Sequence, residues 1–284
     1  MVENRPFLTF FSHLSLLFTV FLVCFPIYLA LVASTQSAQD LVAVPISLLP
    51  SGEWFTNYRT ALFGSSESGS GTTLSASRML FVSSVMTLLI AVGKIVISLL
   101  SAFAVVYFRF RFRMLIFWII FITLMLPVEI RIIPTFDVVA NLKMLNSYAG
   151  LTIPLIASAT ATFLFRQFFH TVPDELLEAS RIDGAGAMTF FKDILLPLSI
   201  PSICSLFVIQ FIYGWNQYLW PLLMTTQEKM YPLSVGLRQM MGNGDVSVEW
   251  NIVMATVVLM LIPPMIVILS MQKWLVSGLI DSEK

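Results

Sequence analysis

The sequence predicts an all-α membrane protein, and three observations carry that prediction. Of 284 residues, 57% are apolar. Only 11% carry charge, where a soluble domain usually has about 25%. The apolar residues also gather into six runs, each near the length of about 20 residues that a helix needs to cross a bilayer core. Lipid offers no hydrogen-bond partner to an open backbone, so the runs must be helices.

The first run extends from about Leu14 to Ala33. Its apolar core is too long for a cleaved signal peptide, and Arg5 is the only positive charge before it. The second covers about Met79 to Tyr107 and is interrupted only by Lys94. The third starts at Met114 and carries Glu129 and Arg131 near its end. The fourth covers Tyr148 to Phe165, the fifth Ile200 to Met224, and the sixth Ile252 to Met271. Cys24 and Cys204 both fall inside apolar runs without metal-ligand spacing, which predicts buried free thiols.

Six spans put both termini on one side. With the amino terminus in the cytoplasm, nine Lys and Arg residues fall inside and six outside. The bias is modest and follows the positive-inside rule. The tight turn FRFRFR at 108–113 is its clearest part. Residues 34–78 and 225–250 then form outer loops, the first containing the flexible stretch GSSESGSGTT at 64–73. The organisation expected is an amino-terminal part at 1–78, a five-span core at 79–272 and a cytoplasmic tail at 273–284. No internal repeat is visible, and no block of like charge suggests nucleic acid.

The inner segment 171–197 is too polar to span and too patterned to be slack. Pro173 suits a first helical turn. Asp174, Glu175 and Glu178 favour the positive end of the helix dipole. Leu176, Leu177 and Ile182 supply an apolar side, and Gly184 fits a left-handed cap. A second short amphipathic helix follows, with Phe190, Phe191, Ile194 and Leu195, until Pro197 and Pro201 break the chain. Two short helices at the cytoplasmic surface need lipid or protein against their apolar groups.

Glu178-Ala179-Ser180, Gly184 after three residues, and Ile194, Leu196 and Pro197 after nine more resemble the EAA motif of binding-protein-dependent ATP-binding-cassette importers. Ser180 replaces the second alanine. Asp183 and Ala185 belong to an I-D-G-A run that is also typical there. LMLPVEIRIIPTFDVV, GLTIPLIASATATFLFRQFF and YGWNQYLWPLL are similar to the carbohydrate-type permeases of these importers. The resemblance covers nearly the whole chain. It implies the type I importer permease fold, six spans with two short coupling helices. It also implies a related second permease, a dimer of ATP-binding subunits and a periplasmic solute-binding protein as partners. The segment from Glu178 to Pro197 would seat in a cleft of one ATPase and move with it. The opening ENRP, the phrase FIYGWNQYLWPLL and the closing DSEK are closest in wording to members that import sn-glycerol-3-phosphate, which implies that solute or another sugar or polyol.

The chain itself has no phosphate-cradling GxxxxGK[ST] run and only two histidines, His13 and His170, both near membrane interfaces. No cofactor, metal or catalytic group is expected, and ATP belongs to the partner. A secondary transporter would leave 171–197 without a purpose. A membrane transferase would need clustered acids with histidines or arginines, which are not found.

Polar residues at membrane depth are the candidate pathway. Lys94 lies midway along the second span, where a lysine costs about 2.5–3.5 kcal/mol on insertion scales. It calls either for an anionic solute such as a phosphate ester or for an acid, Glu129 or one on a neighbouring subunit. Arg131 could meet anionic solute at the outer mouth or anchor the interface. Trp215, Asn216, Gln217 and Tyr218 form a polar cluster in the fifth span, with Pro221 below it to loosen the helix. Their amides must bond along the pathway, to another subunit or within the helix itself. The small residues Ala157 to Thr162 suit close helix packing.

Overall fold

A computed structural model of the chain describes residues 6–43, 47–64, 74–122, 128–242 and 248–280. Every regular element among them is helical. They form two compact units, residues 1–80 with 236–262 and residues 81–235 with 263–284.

The first unit begins with α1 (Pro6–Ala33), a helix that shows Leu17, Phe18, Phe21 and Leu22 all exposed. Such a surface suits a bilayer and not water. Cys24 lies on it, free and exposed, which corrects the expectation of burial: a helix with few packed neighbours turns even its small apolar side chains to lipid. The end of α1 is tied to α2 (Trp54–Phe63) by buried Asn57, whose amide donates to the Ser34 and Gln36 carbonyls at 3.0 and 2.8 Å. The Asn57 side-chain oxygen Oδ1 accepts in turn from the Asn251 side-chain amide at 2.8 Å. Asn251 opens α14 (Trp250–Ile280), which continues into the second unit with Pro263 and Pro264 inside it.

The second unit is built on α3 (Ala76–Tyr107), continuous past Lys94. α4 (Arg113–Ile122) and α5 (Val128–Asn141) follow. Helices are thus described at both ends of the expected third span. Residues 123–127 and the Glu129 side chain lie outside the described residues, as does the stretch 65–73. The fourth run is broken: α6 (Tyr148–Thr152) and a single 3-10 turn at Ile153–Leu155 meet α7 (Ala159–Phe169) at 49°. Ser158 causes the restart, because its hydroxyl caps α7 by accepting from the Ala161 N–H at 3.3 Å. Ser98 on α3 donates to the Ser158 carbonyl at 3.1 Å, so this small-residue run does pack closely.

α8 (Asp174–Ile182) stands next, with Pro173 just before its first turn. α9 (Ala187–Phe190), a turn of π-helix (Phe191–Leu195) and α10 (Leu196–Leu198) then run on as one segment. It bends by 71° into α11 (Ile200–Trp215). The fifth run is broken too, with α12 (Leu219–Met224) starting after residues 216–218. α13 (Leu233–Met240) begins in this unit and ends in the first. Three helices are individually long and apolar enough to cross a membrane, and the two bent pairs raise that to five among the described residues.

Candidate functional site

The segment 174–198 divides into an exposed part and an anchored part. α8 is exposed at Glu175, Glu178 and Ala179. Leu177 packs inward, but Ile182 is 85% exposed. It therefore does not share the packed side with Leu177, as the apolar pattern suggested. Helix α8 ends in a complete Schellman motif: the Ala185 N–H donates to the Ser180 carbonyl at 2.9 Å and the Gly184 N–H to the Arg181 carbonyl at 3.1 Å. Gly184 takes the left-handed conformation this requires, with φ +77°. Asp183 and Gly184 are exposed.

Beyond the cap, Phe190, Phe191 and Leu195 are buried, while Ile194 and Leu196 are partly so and Pro197 is exposed. Aromatic rings hold this part to α3: Phe103 lies 4.8 Å from Phe191, and Tyr107 lies 5.2 Å from Phe190, centroid to centroid. Phe165 and Phe169 of α7 complete the same core. Sequence reasoning missed this seat, although Phe103 and Tyr107 at i, i+4 in a span were its signal. His170, at the end of α7, is held below its ordinary pKa by partial burial and then by Arg166 and Arg113, with Asp174 opposing.

Ser180 is 4% exposed, and its hydroxyl has no hydrogen-bond partner among the described residues. An unsatisfied buried hydroxyl costs about 1–3 kcal/mol. Ser180→Ala should therefore raise the thermal stability of the detergent-solubilised subunit slightly and leave docking intact. A clear loss of stability would show that the hydroxyl has a partner.

The second set of residues lies on α3 and α11. Lys94 is 6% exposed. Its ammonium donates to Gln210 Oε1 at 3.1 Å and sits 3.6 Å from the centre of the Tyr213 ring. Gln210, itself buried, was not among the expected partners, yet a lone amide in an apolar span must bond something. The polar cluster does not lie in one continuous helix. Trp215 ends α11, buried and stacked on Phe211 at 5.8 Å. Asn216 and Tyr218 are exposed at the break. Gln217 donates to the Tyr213 carbonyl at 3.3 Å, closing its own helix end. The loosening expected from Pro221 instead falls ahead of it, and the Pro221 carbonyl is used by the Thr225 N–H and hydroxyl. Arg131 is exposed on α5. Among the described residues no three His, Cys, Asp or Glu side chains group as a metal site.

Residues 94–281 match the family model of the binding-protein-dependent transport system inner membrane component. The chain belongs to that family. It is accordingly a multi-pass permease of the inner membrane, part of a binding-protein-dependent ATP-binding-cassette transport complex, and not an enzyme. Relatives resemble this permease from end to end. The sn-glycerol-3-phosphate transport system permease protein UgpE of Agrobacterium fabrum strain C58 is 54% identical over 284 residues, covering 100% of both chains. The protein of the same name from Escherichia coli O1:K1 is 54% identical over 285 residues, again covering 100% of both. Among solved structures, a chain of a bacterial ABC transporter involved in the import of the acidic polysaccharide alginate matches with a TM-score of 0.77. That match covers 96% of this permease and 98% of that chain at 23% identity, and it establishes the likeness of fold.

Proposed function

We propose that this permease forms half of the translocation pathway of an importer for sn-glycerol-3-phosphate and couples that pathway to ATP hydrolysis in a partner. The observation that carries the solute is the end-to-end identity of 54% with permeases named for it. The complex would hold a related second permease, a dimer of ATP-binding subunits and a periplasmic solute-binding protein. Six spans follow when α4 and α5 are taken together as the third. Both termini then face the cytoplasm.

Coupling rests on the segment from Glu178 to Pro197. The exposed part offers Glu178, Ala179, Ile182, Asp183 and Gly184 to an ATPase cleft. Ile182 supplies an apolar contact that water does not favour. The anchored part, from Ala187 to Pro197, is wedged by Phe190 and Phe191 against α3. A displacement of α8 would therefore reach a membrane-spanning helix through close-packed rings, which are poorly compressible. The pathway residues we assign are Lys94, Arg131 and the group at 215–218.

Uptake of labelled sn-glycerol-3-phosphate by the reconstituted complex, with and without the receptor, tests the proposal. Uptake should require receptor and ATP and exceed that of other polyols. Transport that persists without ATP, or preference for a different solute, would overturn it. Topology has its own test. A cysteine introduced at Thr189 should resist a membrane-impermeant thiol reagent in intact cells, and one at Ser68 should react. The reverse pattern would invert the orientation.

A further inference from the structure

A buried ammonium in a span needs compensation, and the partners Lys94 has are electrically neutral. Gln210 supplies a carbonyl oxygen at 3.1 Å and Tyr213 a ring face at 3.6 Å. Both satisfy a cation's local geometry, and neither cancels its charge. Among the described residues no carboxylate is recorded against it.

The two partners also share a position. Gln210 and Tyr213 lie three residues apart on α11, and Gln217 lies seven beyond Gln210. That spacing sets Gln210 and Tyr213 on one face of α11, and Gln217, in the break beyond Trp215, is held to the end of that face by donating to the Tyr213 carbonyl at 3.3 Å. They form a polar track beginning at Lys94 and ending at the break where Asn216 and Tyr218 are exposed. Burial decreases along it, from Gln210 at 6% exposed to the half-buried Tyr213 and Gln217. A packing staple between two helices needs a bond at one level only. A track graded toward the surface, with its single full charge at the buried end, suits a polar anion moving along it.

We propose that Lys94 receives the phosphate of the solute during translocation, with Gln210 and Tyr213 holding the ammonium in place between passages. The proposal rests on the reading that the solute is a phosphate ester. Such an ester carries between one and two negative charges at neutral pH and offers strong acceptor oxygens. The anion would replace the Tyr213 ring as the partner of the ammonium, a charge-assisted contact in place of a weaker one.

The test uses the full complex, purified and quantified, with Lys94→Met, Lys94→Gln and Lys94→Arg beside the wild type. Met keeps the length without the charge, Gln keeps a donor without the charge, and Arg keeps the charge. Assembly should persist in all three. Uptake of labelled sn-glycerol-3-phosphate should fall about tenfold or more in Met and Gln, the equivalent of about 1.4 kcal/mol or more. Arg should recover most of it. Uptake within twofold of wild type in assembled Met or Gln complex would overturn the proposal. So would failure of both to assemble while Arg assembles, since the charge would then be structural. A wild-type complex that imports another solute but no sn-glycerol-3-phosphate overturns the solute reading, and this proposal with it.

Discussion

Gly184→Val should strip the ATPase from an otherwise membrane-inserted permease. The reason is conformational. Gly184 has φ +77°, and an added Cβ would meet nothing within 4 Å. The variant therefore suffers no clash inside the subunit, and the whole penalty falls on the backbone. A side chain in the left-handed region costs roughly 1–2 kcal/mol, and a β-branched one is worse placed still. Val should relax toward a right-handed φ, and the Schellman bonds to Ser180 and Arg181 would open. The exposed face of α8 would then lose its orientation. Docking should weaken by at least about tenfold, on about 1.4 kcal/mol per decade. Pull-down of ATPase by tagged permease in detergent reads this directly. A graded series sharpens it: Ala should be intermediate, and Asn, which visits this region most readily among side chains, should be mildest. Full ATPase retention and uptake in the Val variant would remove the docking role from this segment.

Gly150→Val should prevent the second unit from folding. A Cβ at Gly150 would overlap the carbonyl oxygen of Met144 and press on Val139 Cγ1. A backbone oxygen cannot swing aside as a side-chain tip can. The turn that would have to yield is also pinned. Asn146 donates its backbone N–H to the Met224 carbonyl at 3.0 Å, and its side-chain oxygen accepts from the Thr226 and Gln227 N–H groups at 2.8 and 3.0 Å. Asn146 and Lys143 both hold positive φ to make the turn. Relieving the overlap would break several of these bonds together, a loss of about 3 kcal/mol or more. Little monodisperse protein should survive detergent extraction, and what survives should melt well below the wild type. An unchanged melting temperature would show that the turn is more compliant than its bonds imply.

What the sequence made legible follows from which signals are local. The Glu178–Pro197 segment was readable because its polarity contrasts with the spans around it, and because Gly184 marks a cap by residue type alone. The spans were readable from length and apolarity. Their breaks were not, because a hydropathy window sums composition and is blind to direction. Ser158 and the Asn216-Gln217 pair mark both breaks, yet each also reads as a packing or pathway residue. A span that is apolar all round hides which face packs, so Cys24 was assigned to the wrong surroundings. On the short helix α8 the apolar pattern alone placed Ile182 beside Leu177, and the helix ends with Ile182 turned outward. Lys94 was recognised as needing a partner, but Gln210 stands more than a hundred residues away, and only the fold brings them together.

The π-helical turn at Phe191–Leu195 has a consequence for permitted changes in chain length. A π turn carries one residue more than the regular helix would use. Removing any residue between Phe191 and Leu195 would let the stretch revert to α-helix. The flanks would keep their phase, because the π turn spends its extra residue on one full turn. One residue added there has no such slack and would rotate everything before it by about 100° relative to α11, one residue's worth of angle. Phe190 and Phe191 would leave the α3 seat, and α8 would point elsewhere. The nine residues between Gly184 and Ile194 thus act as a phase setting between the cytoplasmic helix and the membrane helix. Point substitutions, and deletion of one residue within the π turn, should be tolerated far more readily than an insertion of one.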